Sequence, residues 1–365
     1  MLSSGYDAVT LLSTIVFQIV KPLFPSLPRE MHSRDNKEVI NNAPKYRLRR
    51  LVGLLILTII ITLVVSLIYL FNRQDNSAKL PAEPRMPPVS SQGFDETNLI
   101  SDSEFTRWDS LSSQQIQAFI TDWGYGCRSG KAEKMPKDTG IYNPASGGDK
   151  QSQSVPCLKD YRGVLAAHNA DRFCPRVVQG GENLTAGQII AQVSRACGIN
   201  PKAILVTLQK EQGLITASST RLTPRRYQIA MGYACPDHKA CDSQFYGFGT
   251  QVYYAARQWR RYQLNPQDYD VAAGQAVTLG FGPDSRCGSK KIVPQNWATA
   301  ALYNYTPYLP SSDALAGLND ECAQPGNLNF YQFYKAWFGD PVKGGGQVLT
   351  RKALAAQQSP PATTK

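Results

Sequence analysis

Between Leu51 and Phe71 the chain carries no charged residue, and most positions are Leu, Ile or Val. As a helix at about 1.5 Å per residue, this run is roughly 30 Å long, the thickness of bilayer hydrocarbon. A buried helix of a water-soluble domain normally keeps a polar face, whereas this run has only scattered Thr and Ser. The run predicts a transmembrane helix over 51–71. Lys45, Arg47, Arg49 and Arg50 stand directly before it, and Arg73 and Lys79 follow more sparsely. The positive-inside bias then puts a tail, 1–50, in the cytoplasm and everything beyond 71 outside. A cleaved signal peptide fits less well. The preceding charged stretch is too long, the apolar run is longer than an h-region, and Asn72-Arg73-Gln74-Asp75 is no small-residue cleavage site. An earlier apolar stretch, 8–20, is too short to span. Met31 offers a second start before a sensible cytoplasmic tail.

The cysteines agree with this topology. All eight, Cys127, Cys157, Cys174, Cys197, Cys235, Cys241, Cys287 and Cys322, lie beyond the apolar run. An even number confined to the external side predicts up to four disulfides. No Cys-x2-Cys pair occurs and the chain has only three His, so no zinc or other metal site is expected. Eight cysteines allow 105 pairings. A short loop favours Cys235 with Cys241, and order along the chain suggests Cys127–Cys157, Cys174–Cys197 and Cys287–Cys322.

The 365-residue length suggests two domains, but the chain divides differently. Residues 72–93 are rich in Pro with Ser, Gln and Asn, and predict a stalk. Residues 342–365 begin near a Gly run and predict a flexible tail. That leaves one external domain over 94–340, mainly α with minor β, carried on a single-pass N-terminal anchor. Its helix signals are local. Ser110 or Ser112 caps a helix ending at Gly124, and Thr185 caps another that Gly198 stops. Asn200-Pro201 opens a third, which Gly213 ends. Further helices are predicted over 248–262, 296–303 and 328–338. Short strands are expected within 221–234 and 271–279.

Glu211 is the first candidate for chemistry. It projects about 20° from Ile204 and about 60° from Leu208, on the apolar side of its helix. A carboxyl group in apolar surroundings at the negative end of a helix is the type that holds a proton toward neutral pH, as a general acid must. The plain alternative is an ordinary Glu near a helix end, paired with Lys210 or an arginine. Tyr303 and Asn304, with the aromatics that follow, are candidates to line a sugar groove; a core helix before a Pro turn explains them equally. Asp237 and Asp242 flank the short Cys235–Cys241 loop, with Gln244 and Tyr246 next. Of these Asp242 is kept as a weak candidate for the second carboxylate many glycosidases use. No Gly-x-Ser-x-Gly, phosphate loop or dinucleotide fingerprint occurs, so no cofactor is expected. His168 and His238 have no catalytic setting, and with the cysteines paired, thiol catalysis is excluded. Asn183-Leu184-Thr185 matches a glycosylation sequon, but Thr185 is better explained as a helix cap.

The segment Asn200-Pro201-Lys202-Ala203-Ile204-Leu205 through Gln209-Lys210-Glu211-Gln212-Gly213 resembles the catalytic helix of lysozyme-like domains, as in bacterial soluble lytic transglycosylases. There a Pro-led helix ends in Glu before a small residue. Ala301-Leu302-Tyr303-Asn304 is similar to their Tyr-Asn element, with Tyr305-Thr306-Pro307 in place of the usual Gly. More of the chain, about 94–340, resembles secreted or anchored hemagglutinin-like proteins of actinobacteria and related Gram-positive lineages. That likeness includes Asn98-Leu99-Ile100-Ser101-Asp102, Cys157-Leu158-Lys159-Asp160-Tyr161, Gly232-Tyr233-Ala234-Cys235-Pro236-Asp237 and Leu302 through Tyr308. The resemblance implies a lysozyme-like fold and a muramidase or lytic transglycosylase acting on the MurNAc–GlcNAc bond of peptidoglycan, with Glu211 as general acid and base. From a different class, a non-catalytic wall-binding or adhesin module on the same scaffold is the alternative. The net charge of +11, most of it beyond the apolar run, suits anionic wall polymers. Nucleic acid as a partner is excluded by external location and disulfides.

Overall fold

The computed structural model describes residues 91–129, 155–217, 222–237, 239–318, 321–322, 324–351 and 353, with positions 52, 53, 55, 58, 59, 62 and 66. Two compact units divide at Lys79 and Leu80. In the first, the described positions are helical, and Thr58 and Thr62 hydroxyls donate to carbonyls three and four residues earlier. Most of 51–71 lies outside the described residues. Among the described residues no helix is long and apolar enough to cross a membrane.

The second unit is mainly helical with minor sheet. Its helices are α1 (Asp102–Phe105), α2 (Ser113–Trp123), α3 (Ala186–Cys197), α4 (Pro201–Gln212), α5 (Pro224–Gln228), α6 (Phe248–Leu264), α7 (Trp297–Tyr305), α8 (Ser312–Leu315) and α9 (Leu328–Phe338). Two antiparallel hairpins complete it, β1 (Arg162–Leu165) with β2 (Gly181–Thr185) and β3 (Val277–Gly280) with β4 (Ser289–Ile292). The expected caps form. Ser112 and Thr185 each make a two-way capping box, with Gln115 and Gln188. Asn200 caps α4 in front of Pro201, and Asn296 caps α7. Gly198 and Gly213 close α3 and α4 in the left-handed conformation.

The α4 helix is the axis of the unit. Pro201 through Gln209 are all buried, packed by α9 on one side and α3 on another. Helices α2 and α3 cross closely, because a Cβ at Gly187 would stand 2.7 Å from the Ser113 carbonyl. The aromatic residues of α9 fill the core, with Phe330, Tyr334, Trp337 and Phe338 fully enclosed. At the start of α4, the buried Glu104 carboxylate accepts hydrogen bonds from Tyr334 Oη at 2.6 Å and Arg107 at 3.0 Å, with Lys202 Nζ at 3.7 Å. Asn200 joins them by donating to the Glu104 carbonyl at 2.6 Å.

All four disulfides pair neighbours in chain order: Cys127–Cys157, Cys174–Cys197, Cys235–Cys241 and Cys287–Cys322. Three of them close separations of 23 to 35 residues, each stabilising by about 3–4 kcal/mol in the chain-entropy picture.

Two expectations are corrected. The segment expected to be a strand within 221–234 holds helix α5, because Thr223 caps it and Pro224 takes the first helical position. A strand does form in the other expected window, at β3, but its partner β4 and the β1–β2 hairpin were not expected. The residues after 341 are not free of the domain. Leu349 N–H donates to Trp337 O at 2.8 Å, Arg351 N–H donates to Asp122 Oδ2 at 2.6 Å, and the Arg351 guanidinium lies over the Tyr125 ring. Through residue 351 the expected tail is therefore a strap; residues 354–365 lie outside the described ones.

Candidate functional site

Glu211 stands in the last turn of α4 with its side chain 22% exposed, where the buried helix reaches the surface. Three features hold that helix end. Gln209 folds back, accepting from the Ile215 and Thr216 amides at 3.1 Å each and donating to the Thr216 hydroxyl. Arg226 from α5 donates to Gln212 O at 2.7 Å, placing a cation at the negative end of the helix. Gly213 turns the chain away.

Lys210 is the first neighbour of the carboxylate. Its ammonium donates to Glu211 Oε1 at 2.7 Å and to Thr306 Oγ1 at 2.7 Å, bridging α4 to the residue that ends α7. Gly232 is the second. Its φ is +70°, and a Cβ built there would lie 2.8 Å from Glu211 Oε2, so the carboxylate rests on bare backbone. Tyr305 is the third. Its hydroxyl donates to Met231 O at 2.7 Å, and burial, followed by the nearby Glu211 charge, pushes its ionisation well above the usual tyrosine range. It remains a phenol at any working pH.

The Met231-Gly232-Tyr233 backbone is itself pinned by Gln251 of α6, which is fully buried. Gln251 Oε1 accepts from the Met231 amide at 3.2 Å and the Tyr233 amide at 3.0 Å, while Nε2 donates to Tyr233 O at 3.0 Å and Phe245 O at 2.8 Å. All four of its bonds are made. Sequence reading passed over Gln251, since nothing local distinguishes it from any polar residue in an amphipathic helix.

The other sequence candidates are placed differently. Tyr303 is completely buried and donates to Glu96 O at 2.9 Å, so its ring serves the core and offers no face to a sugar. Asn304 uses both ends of its amide on Val271, accepting from N–H at 3.1 Å and donating to O at 2.7 Å. It ties α7 to a loop. Asp242 accepts from the Gln244 amide at 3.1 Å and from its side chain, capping a turn. Tyr246 donates to Cys241 O at 3.3 Å and lies under the Arg225 guanidinium. Asp237 accepts from the Tyr308 hydroxyl. None of these contacts reaches Glu211, whereas Lys210, Gly232 and Tyr305 stand around it. Among the described residues no cluster of three or more metal-ligating side chains occurs.

No protein-family model, curated protein or solved structure matches this chain. Its function must be argued from the residues around Glu211.

Proposed function

We propose that this chain is a membrane-anchored peptidoglycan-cleaving enzyme of muramidase or lytic transglycosylase type, built on a lysozyme-like domain outside the cell, with Glu211 as its acid and base. One observation carries the reading: Glu211 is a partly open carboxylate at the end of an otherwise buried helix, seated on the Gly232 backbone. The uncharged run at 51–71, the basic residues before it and the confinement of every cysteine beyond it support the anchor and the external location.

In the proposed reaction, substrate entering the site draws Lys210 off Glu211, the carboxylate takes up a proton from solvent, and it gives that proton to the glycosidic oxygen as the C1–O bond of the muramyl residue breaks. The carboxylate so formed takes the proton of the muramyl 6-hydroxyl while that oxygen bonds to C1, closing a 1,6-anhydro ring. Lys210 Nζ, 2.7 Å from Oε1, stabilises the carboxylate between the two steps. Asp237 and Asp242 are occupied by Tyr308 and Gln244. This favours the single-carboxylate transglycosylase over a hydrolase that needs a second group to position water.

The second reading, a non-catalytic wall-binding module, draws on the same lysine, since in the resting structure Lys210 already neutralises Glu211. Incubating the full chain in detergent micelles with purified peptidoglycan and analysing the released fragments separates the two. Anhydro-muropeptides that disappear with Glu211→Gln support the enzyme. Binding to peptidoglycan without products, or products unchanged by that substitution, rejects it.

A further inference from the structure

Beside Glu211 the same loop opens onto an aromatic face that the cleavage chemistry does not use. Tyr233, next to Gly232, stacks against Tyr254 at 5.8 Å and 22° and meets Phe245 edge-on at 5.0 Å. Tyr254 in turn meets the His168 ring edge-on at 6.1 Å. Tyr233, Phe245, Tyr254 and His168 are all only half-buried.

Two arginines share this face. Arg257 and Arg261 follow Tyr254 at three and seven positions along α6, which puts all three on one side of the helix. Both guanidiniums lie over the Phe173 ring, at 4.7 and 5.8 Å, and both act electrostatically on the Tyr233 hydroxyl. They differ in one respect. Arg257 is paired with Asp171 through Nε at 2.9 Å and Nη2 at 2.7 Å. Arg261 has no carboxylate partner among the described residues, and its Nε is buried without a hydrogen bond. That enclosed Nε is out of a ligand's reach, so on this half-buried residue only the outer Nη groups can serve an acceptor, end-on.

We propose that Tyr233, Tyr254 and Arg261 form a binding subsite for a carboxylated saccharide, the rings stacking on the sugar's C–H face and Arg261 pairing with its carboxylate. Planar guanidinium and carboxylate match in a two-bond fork, which a neutral sugar cannot supply. On the peptidoglycan reading above, on which the identity of the sugar rests, the carboxylates are the lactyl and stem-peptide groups of the muramyl residue. The chemistry of the subsite stands apart from whether Glu211 cleaves.

The test is equilibrium binding by the full chain in detergent micelles, carrying Glu211→Gln so that nothing is turned over. One probe is a soluble GlcNAc-MurNAc-tetrapeptide; the other is chitotetraose, an N-acetylglucosamine oligomer with no carboxylate. Adding Arg261→Gln weakens the muropeptide about tenfold, about 1.4 kcal/mol, and leaves chitotetraose unchanged. Arg261→Lys recovers part of the loss, and Tyr254→Ala weakens both probes. Equal muropeptide affinity with and without Arg261→Gln, an equal loss for chitotetraose, or no binding of either probe overturns the subsite. Arg261-dependent binding in a protein whose native form releases no products sinks the glycosidase and keeps the subsite; products with Arg261-independent binding do the reverse.

Discussion

The Glu211 carboxylate lies over the Gly232 Cα, where an added methyl group would stand 2.8 Å from Oε2 and push the carboxylate aside. The left-handed φ of Gly232 adds about 1–2 kcal/mol of strain for any side-chain-bearing residue. Gly232→Ala therefore displaces the carboxylate as well as straining the loop. On the proposed peptidoglycan-cleaving function, product release falls at least tenfold while the thermal midpoint drops only a few degrees. A variant with full activity contradicts the placement of Gly232 beneath the acid.

Gln251 offers a way to disturb the site from the far side of that loop. Replacing it with Leu leaves the buried Met231 amide, the half-buried Tyr233 amide and two carbonyls without their partner, at up to about 1–3 kcal/mol for each group that water cannot reach. Gln251→Leu lowers the urea midpoint and loosens 231–245, read as faster amide exchange there than in α4. Unchanged exchange across that loop argues against Gln251 as its anchor.

The network at the start of α4 is a sensitive point for stability. Glu104→Ala strands Lys202, whose side chain is 3% exposed, without its carboxylate. Breaking a buried pair from one side costs about 3–5 kcal/mol. Thermal unfolding of Glu104→Ala drops well below that of Arg107→Ala, because Arg107 is 38% exposed and can be replaced by water. Similar midpoints for the two variants refute this ranking.

Acidification acts through His168. Burial against Tyr253, then the positive charge of Arg257, lower its pKa below the usual 6.5, with Asp171 opposing. A depressed folded-state value means the unfolded chain takes up the proton first. The contribution to stability is complete above about pH 6.5 and is lost as pH falls through the lower folded-state value. Asp171 adds a second loss further into acid. Burial alone would raise it, but the Cys174 amide and Arg257 outweigh that and hold it below the usual carboxylate range. Stability measured from pH 7 to 5 declines in the native chain and declines less in His168→Gln. Parallel curves exclude His168 as the cause.

Much of this architecture was legible locally. Ser112, Thr185 and Asn200 announced helices, Gly198 and Gly213 ended them, and disulfide order followed chain order. Each of those signals acts within one turn of backbone or closes a nearby loop. The 224–228 segment, expected to lie in a strand region, is a helix because Thr223 caps it and Pro224 takes its first position.

The surroundings of Glu211 were not legible in the same way. Tyr303 and Asn304 looked like site residues and proved to be core and clasp, because the facing of a short helix is decided by what packs on it. Gly232, Tyr305 and Arg261 lie 21, 94 and 50 positions from Glu211 in the sequence; no periodicity connects residues so far apart. The sequence alone determined an uncharged run of membrane length, a one-sided set of cysteines, the main helices and Glu211 as the acid to consider. Only tertiary packing decided that this carboxylate sits on a bare glycine beside Lys210, and that Arg261 of α6, with no carboxylate partner among the described residues, acts on the half-buried Tyr233 next to that glycine. Local signals are set by the backbone of a few residues, whereas a site is set by which distant surfaces must share one core.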